Sequence, residues 1–178
     1  MITNRPGATG TADAVTATAC PGCGARLVDA GGAPTLHDGC SPACGRLFDA
    51  VLECEYADPE YFVVHGLTVS SWRLQHPAGA SARSTAVHLA RLGLYAEGAR
   101  PERLVAVVQS VSERFRHDPV PPLAPPADRG AITIADVAAA TTAAEHCALV
   151  RAWAGAVWAA RSADHPTVRS WLARQRGG

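Results

Sequence analysis

The stretch from Tyr56 to His88, YADPEYFVVHGLTVSSWRLQHPAGASARSTAVH, carries three histidines, His65, His76 and His88, between proline-marked helix boundaries. Asp58-Pro59 is a helix start: an aspartate cap followed by proline at the first helical position. Pro77 pushes the residue before it out of the helical region, so the same helix must end there. His65 and His76 are therefore expected at opposite ends of one helix. Eleven residues at about 100° each fall within about 20° of three whole turns, which puts both rings on one face. Val69 and Trp72 lie between them on that face, so it is apolar and predicted to be buried. An imidazole at each end of a buried stripe needs a hydrogen bond, a carboxylate or a metal.

The remainder of the chain limits what such a site can serve. It has 178 residues, 48% of them hydrophobic and dominated by Ala, Val and Leu, a bias toward helices. Charged residues make up 18%, the formal net charge is zero and there is no lysine. That balance argues against a nucleic-acid surface, which needs a cluster of cations to neutralise phosphates. No apolar run reaches the roughly 18 residues of a membrane span. The first 19 residues contain one arginine and no apolar core, so a disordered leader over 1–19 is expected rather than a secretory signal. A cytoplasmic location follows as an expectation. Six cysteines in a reducing compartment are then thiols or metal ligands rather than disulfides.

Residues 20–44, CPGCGARLVDAGGAPTLHDGCSPAC, are dense in glycine and proline and lack periodicity, so they read as a loop-rich knuckle ahead of a helical domain over 45–178. Ser41-Pro42 opens a helix running to about Tyr56, with Leu47, Phe48, Val51 and Leu52 as its apolar stripe. A later helix starts near Ser81 or Ser84 and ends at Gly98, with His88, Leu92 and Tyr95 spaced to point inward. Pro101 opens the next, which stops before Pro119 and turns Leu104, Val107, Val108, Val111 and Phe115 inside. Residues 118–131 form a proline-rich connector, expected to wrap across the helices. Thr133-x-x-Asp136 resembles a capping box, with aspartate in place of the usual Glu or Gln. Thr142-x-x-Glu145 fits that motif and opens a long helix to about Arg161, on which His146, Val150, Trp153 and Val157 share a face. Asp164-His165-Pro166 restarts a short final helix with His165, Val168 and Leu172 inward. The only strand candidate is Ala131–Ile134. The fold class predicted is all-α: a bundle of five to seven helices with an N-terminal Cys-rich, zinc-knuckle-like loop.

Two sets of residues carry chemistry. Cys20-x-x-Cys23 sits in a C-P-G-C-G turn, which frees backbone amides toward sulfur and brings two thiolates to one tetrahedral edge. Cys40-x3-Cys44 can supply the other edge after 16 intervening residues. That spacing fits a small structural zinc site, with His37 able to replace one cysteine. Cys44 would lie in a first helical turn, where the dipole favours thiolate. Free loop thiols are the plain alternative. Cys54 and Cys147 lie on helices and are expected as core thiols. The second set is His65, His76, His88 and His165, all on apolar faces. Any one of them alone is a core histidine bonded to a carbonyl; together they suggest ligands gathered from several helices. His65 and His76 are separated by about 16 Å along an unbroken helix, so they cannot share an ion unless it breaks, which Gly66 permits. Among the nearby acids, Asp58, Glu60 and Glu145 are accounted for as helix-start groups, and Glu53 and Glu55 are expected in solvent. No Ser-His-Asp arrangement, phosphate loop or H-E-x-x-H motif is present.

CPGCG at 20–24, SPACG at 41–45, HGLTVSSWRLQHP at 65–77, AVHL at 86–89 and VRAWAGAVWAARSADHPTVRSWL at 150–172 together resemble an uncharacterised bacterial domain family of unknown function. Its pattern is C-P-x-C-G, S-P-x-C-W, H-x-L-T-V-D-x-Y-x-x-Q-H-P and a-V-H-L. The resemblance implies that Cys20, Cys23, Cys44, His65, His76, His88 and His165 are recurring polar positions and that Cys40 is not, which favours a mixed Cys/His site. Ser70 stands where the pattern has aspartate and Trp72 where it has tyrosine.

The candidate metal ligands are thus Cys20, Cys23, Cys40, Cys44, His65, His76, His88 and His165, with Zn2+ as the ion. In the leading reading the helical core holds a His-lined site of a small metal-dependent hydrolase or lyase acting on a small molecule, with His65 and His88 catalytic. In the alternative, zinc only staples the Cys-rich loop to the helices of a structural or interaction module. A metal store or thiol sensor is a third reading, suggested by Cys40.

Overall fold

The computed structural model describes residues 16–29, 37, 39–123, 126 and 128–173. Most of the leader expected over 1–19 lies outside the described residues; from Ala17 the chain is already paired. Strand β1 (Ala17–Ala19) runs antiparallel to β2 (Arg26–Val28), with Thr18 opposite Leu27. At three residues each, these strands are too short to leave an alternation pattern. The strand expected at Ala131–Ile134 does not form; Ile134 instead begins a helix.

Helix α1 (Pro42–Ala57) starts as its sequence dictates: Ser41 Oγ accepts from Cys44 N–H, and Pro42 occupies the first turn. Helix α2 (Pro59–Phe62) is capped by Asp58, whose Oδ1 accepts from Glu60 N–H at 2.8 Å. It then stops. The single helix predicted from Pro59 to His76 is two helices, because the chain turns at Val63 and Val64 before α3 (His65–Gln75) begins. The run Tyr61-Phe62-Val63-Val64 is aromatic and β-branched, with little intrinsic helix preference. Packing settles the rest: Val64 is 2% exposed while its neighbour Val63 is 68% exposed.

Helix α4 (Ala82–Ala96) is capped by Ser81, and α5 (Pro101–His117) opens on its proline. The described part of the connector has no helix or strand and reaches back to the knuckle. The Arg129 guanidinium donates to the carbonyls of Pro21 and Gly22. Helix α6 (Ile134–Ala138), α7 (Ala143–Ala160), a 3-10 turn (Ser162–Asp164) and α8 (His165–Ala173) complete the order. The all-helical reading therefore holds, with eight α-helices among the described residues, two of them one turn long.

Helix α3 is the axis of the molecule. Leu67, Thr68, Ser70, Ser71, Trp72, Leu74 and Gln75 are all buried in it. It packs on α4 and α7, while α5 and α8 close over α4 and α6 lies on α1. Gln75 shows how tightly the centre is tied. Its Nε2 donates to Arg129 O at 2.6 Å and Ile132 O at 2.9 Å, and its Oε1 accepts from Trp153 Nε1 at 3.1 Å. No described helix is long and apolar enough to cross a membrane.

Candidate metal centre

Four side chains from three separate parts of the chain converge at the C-terminal end of α3. Cys20 follows β1 directly, and Cys23 sits in the turn before β2. That turn is closed by Cys20 N–H to Ala25 O at 2.8 Å and Gly24 N–H to Cys20 O at 2.9 Å. Gly24 has φ +81°, a left-handed conformation that a side chain would strain. At Gly22, a Cβ would overlap the His76 ring, so a bare backbone is what lets the turn close over the imidazole. Cys44 comes from the first turn of α1, where unpaired amides and the helix dipole favour a thiolate. Ser41 N–H points at Cys20 Sγ from 3.4 Å.

His76 is the C-cap of α3. Its backbone has left the helix (φ −120°, ψ 68°), as the following proline requires. Its Nδ1–H donates to Trp72 O at 2.8 Å, which leaves the Nε2 lone pair facing the sulfurs. Nε2 is 3.5 Å from both Cys20 Sγ and Cys44 Sγ, and Cys23 Sγ is 3.8 Å from Cys44 Sγ. All four donor atoms lie within 4.8 Å of one another. None of the four residues is more than 5% exposed. An ion with bonds of about 2.3 Å to sulfur and about 2.0 Å to nitrogen needs tetrahedral edges of about 3.8 Å (S to S) and about 3.5 Å (S to N). The observed edges match those lengths, so the residues present fit such an ion.

Electrostatics point the same way. The hydrogen bond shared with Cys44, together with the nearby His76, holds Cys23 down at about 4 against the opposing effect of burial. Cys44 is pushed up by the same contact and by its burial. Burial opposes ionisation of Cys20, but the amides of Cys23 and Ser41 and the His76 ring lower it overall. Burial would also lower His76; the hydrogen bonds to Cys23 and to the Trp72 carbonyl raise it instead. A cation in the middle would replace these shared protons. Trp72 stacks on His76 at 4.2 Å and Phe48 stacks on Trp72 at 4.2 Å, a dry aromatic wall on one side.

The family model described as a family of unknown function, DUF5946, matches residues 18–162. The chain belongs to that family. No curated protein and no solved structure matches it. The matched span contains all four converging residues and α1 to α7, so the centre described above lies within the region shared with the family.

The other predicted site residues lie elsewhere, and among the described residues no second set of three or more such groups brings its donor atoms this close. Cys40 is half-buried and its Sγ donates to His37 O at 3.3 Å. His37, weighed as a substitute ligand, bonds Asp49 Oδ1 through Nε2 at 2.7 Å and lays its ring edge on Phe48 and Trp72. His165 donates to Trp158 O at 2.9 Å and stacks on that indole at 3.8 Å, a satisfied core histidine. His88 Nδ1 is 3.1 Å from Ser70 Oγ, and burial, then Arg91 and Arg73, hold it down at about 4. Cys147 is buried as expected, but Cys54 is exposed.

His65 belongs to a cluster that sequence reasoning did not assemble. Its Nδ1 donates to Glu55 Oε2 at 2.8 Å, and Tyr56 OH is 3.2 Å from its Nε2. Glu55, expected in solvent, is fully buried, and its Oε1 accepts from Thr68 Oγ1 at 2.5 Å and His146 Nε2 at 3.0 Å. Two imidazoles and a hydroxyl from α3 and α7 thus satisfy one carboxylate from α1. The signal was present: Phe48, Val51, Leu52 and Glu55 follow i, i+3, i+4, i+7, which puts Glu55 on the buried stripe of α1. His146 likewise shares the apolar face of α7.

Proposed function

We propose that this protein is a zinc-stapled helical domain in which Cys20, Cys23, Cys44 and His76 hold a structural ion. Of the three readings considered from sequence, this is the stapling one. The observation that carries it is the donor set: four buried protein ligands, with three edges of 3.5, 3.5 and 3.8 Å and every donor pair within 4.8 Å, supply the four positions of a closed structural site. The ion would tie the β1–β2 hairpin and the start of α1 to the end of α3. Cysteine ligands kept available as thiolates suit a reducing, cytoplasmic setting. Metal analysis of the full chain purified without chelator tests the reading. One equivalent of zinc is expected, falling below about 0.2 in Cys44→Ser; less than half an equivalent in the wild type would overturn it.

A second reading keeps hydrolase or lyase chemistry, at His65 rather than at the ion. It is favoured by one observation: buried Glu55 orients the His65 ring through Nδ1 and leaves Nε2 of this 18% exposed side chain beside the Tyr56 hydroxyl, and Tyr56 lines an opening with Glu55, Pro59 and Phe62. A carboxylate-backed imidazole at an opening is a general base by construction. A panel of small ester and amide substrates tests it. Turnover lost in His65→Gln with zinc content unchanged supports it; no turnover by the wild type removes it.

A further inference from the structure

A cavity of about 530 Å³ lies away from the metal centre, where α3, α4, α5 and α7 meet beside the Val63–Val64 turn. Its volume is that of a small-molecule pocket. The walls are apolar: Phe62, Val64, Leu67, Leu104 and Val105. Two arginines, Arg91 from α4 and Arg151 from α7, also line it, and no acidic residue does. The arginines with ion pairs among the described residues are Arg46, Arg114, Arg116 and Arg161, so neither guanidinium of the cavity is neutralised by a carboxylate.

Arg91 is placed with some care by the fold. Its guanidinium lies across Gly66, where a Cβ would overlap it, and it is half-buried. Burial pulls its pKa below the usual arginine value, a sign of water given up without an anion to replace it. Helix α3 begins on the same wall, and Val64 at its N-cap offers no side-chain acceptor. The positive end of an 11-residue helix therefore adds to the field of the two cations. The half-buried Arg91 guanidinium, with the exposed Arg151 beside it at the rim, calls for an anionic head, and the walls around them call for an apolar body.

We propose that this cavity binds a small organic acid, its carboxylate held by Arg91 and Arg151 and its aliphatic or aromatic body packed on Phe62, Leu67 and Leu104. The site is independent of the ion and of any chemistry at His65. A guanidinium also suits a phosphate, but the open apolar walls make an amphiphile the better match than a bare oxyanion.

Calorimetric titration of the full, zinc-loaded chain with octanoate, octan-1-ol and acetate tests the proposal. Octanoate is expected to bind saturably at one site, with octan-1-ol and acetate each weaker by about tenfold or more, the usual weight of one charge-assisted contact or of an apolar body. Arg91→Gln and Arg151→Gln should each weaken octanoate by about tenfold. Gly66→Ala keeps both charges and a well-formed helix but displaces the Arg91 head, and it should weaken octanoate as well. The proposal is overturned if octanoate does not saturate, if acetate binds as tightly, or if an Arg91→Gln/Arg151→Gln double variant with unchanged thermal unfolding binds octanoate as the wild type does.

Discussion

His88 turns burial into a pH dependence. Its ring is held at about 4 by burial and by Arg91 and Arg73, against about 6.5 in an unfolded chain. Between those values the unfolded chain takes up a proton and the folded one does not. Stability contributed by the neutral ring is therefore present above pH 6.5 and drains away as pH falls toward 4. In urea unfolding, the difference between wild type and His88→Gln should shrink by about 2–3 kcal/mol between pH 7 and pH 4.5. A constant difference would show that His88 does not titrate in that window. Ser70 faces this ring. Ser70→Asp should raise the His88 pKa by about one to three units, read by NMR titration of the ring protons. At this scale the ligands were half legible. The C-P-G-C-G turn and Ser41-Pro42-x-Cys44 marked three thiols, but Cys40, His37 and the core histidines were all open for the fourth place. What decides between them is where Pro77 leaves the imidazole and how Gly22 clears room for it, and both depend on tertiary packing.

Among the elements, starts were easier to read than interruptions. Asp58-Pro59, Ser41-Pro42 and Arg100-Pro101 all open helices, because proline at the first turn loses nothing it would have used. The turn at Val63–Val64 has no such marker; it exists because Val64 is pulled into the core. The capping boxes behaved contrary to their resemblance to the motif. Thr133 N–H donates to Asp136 Oδ2 at 2.7 Å, closing a box with the shorter acid. Glu145 reaches past its cap to Thr141 N–H at 2.9 Å, which also lowers its pKa. Gln75 is the strongest link between elements. Replacing it with leucine strands the Trp153 N–H in the interior and unties two part-buried carbonyls, a loss of about 2–4 kcal/mol in chemical denaturation. A change under 1 kcal/mol would mean that water takes over those bonds.

For the molecule as a whole, a metal held by Cys20 and His76 would close the chain on itself between residues 20 and 76, and Arg129 brings the connector back to the same place. Chelation of the full chain should lower the melting temperature by on the order of 10 °C. It should also change tryptophan emission, because Trp72 stacks on the ligand His76. Hydrogen exchange should accelerate in residues 17–28 and 129–132 before it does in α7. Unchanged exchange in the hairpin would mean that the hairpin stands without its ion. Helical class and helix order were readable from periodicity and caps. The buried Glu55 cluster and the arginine-lined cavity were not, because each is built from three or more helices whose mutual placement no local pattern encodes.

The imidazole of His76 hangs from the last turn of α3 by a single bond to the Trp72 carbonyl. A ligand aimed in this way loses its bearing whenever that turn unwinds. The escape of an ion held there would be a clock for fraying: its off-rate would count how often the final turn of the central helix opens, and substitutions that stiffen or loosen that turn should set residence time without touching a coordinating atom.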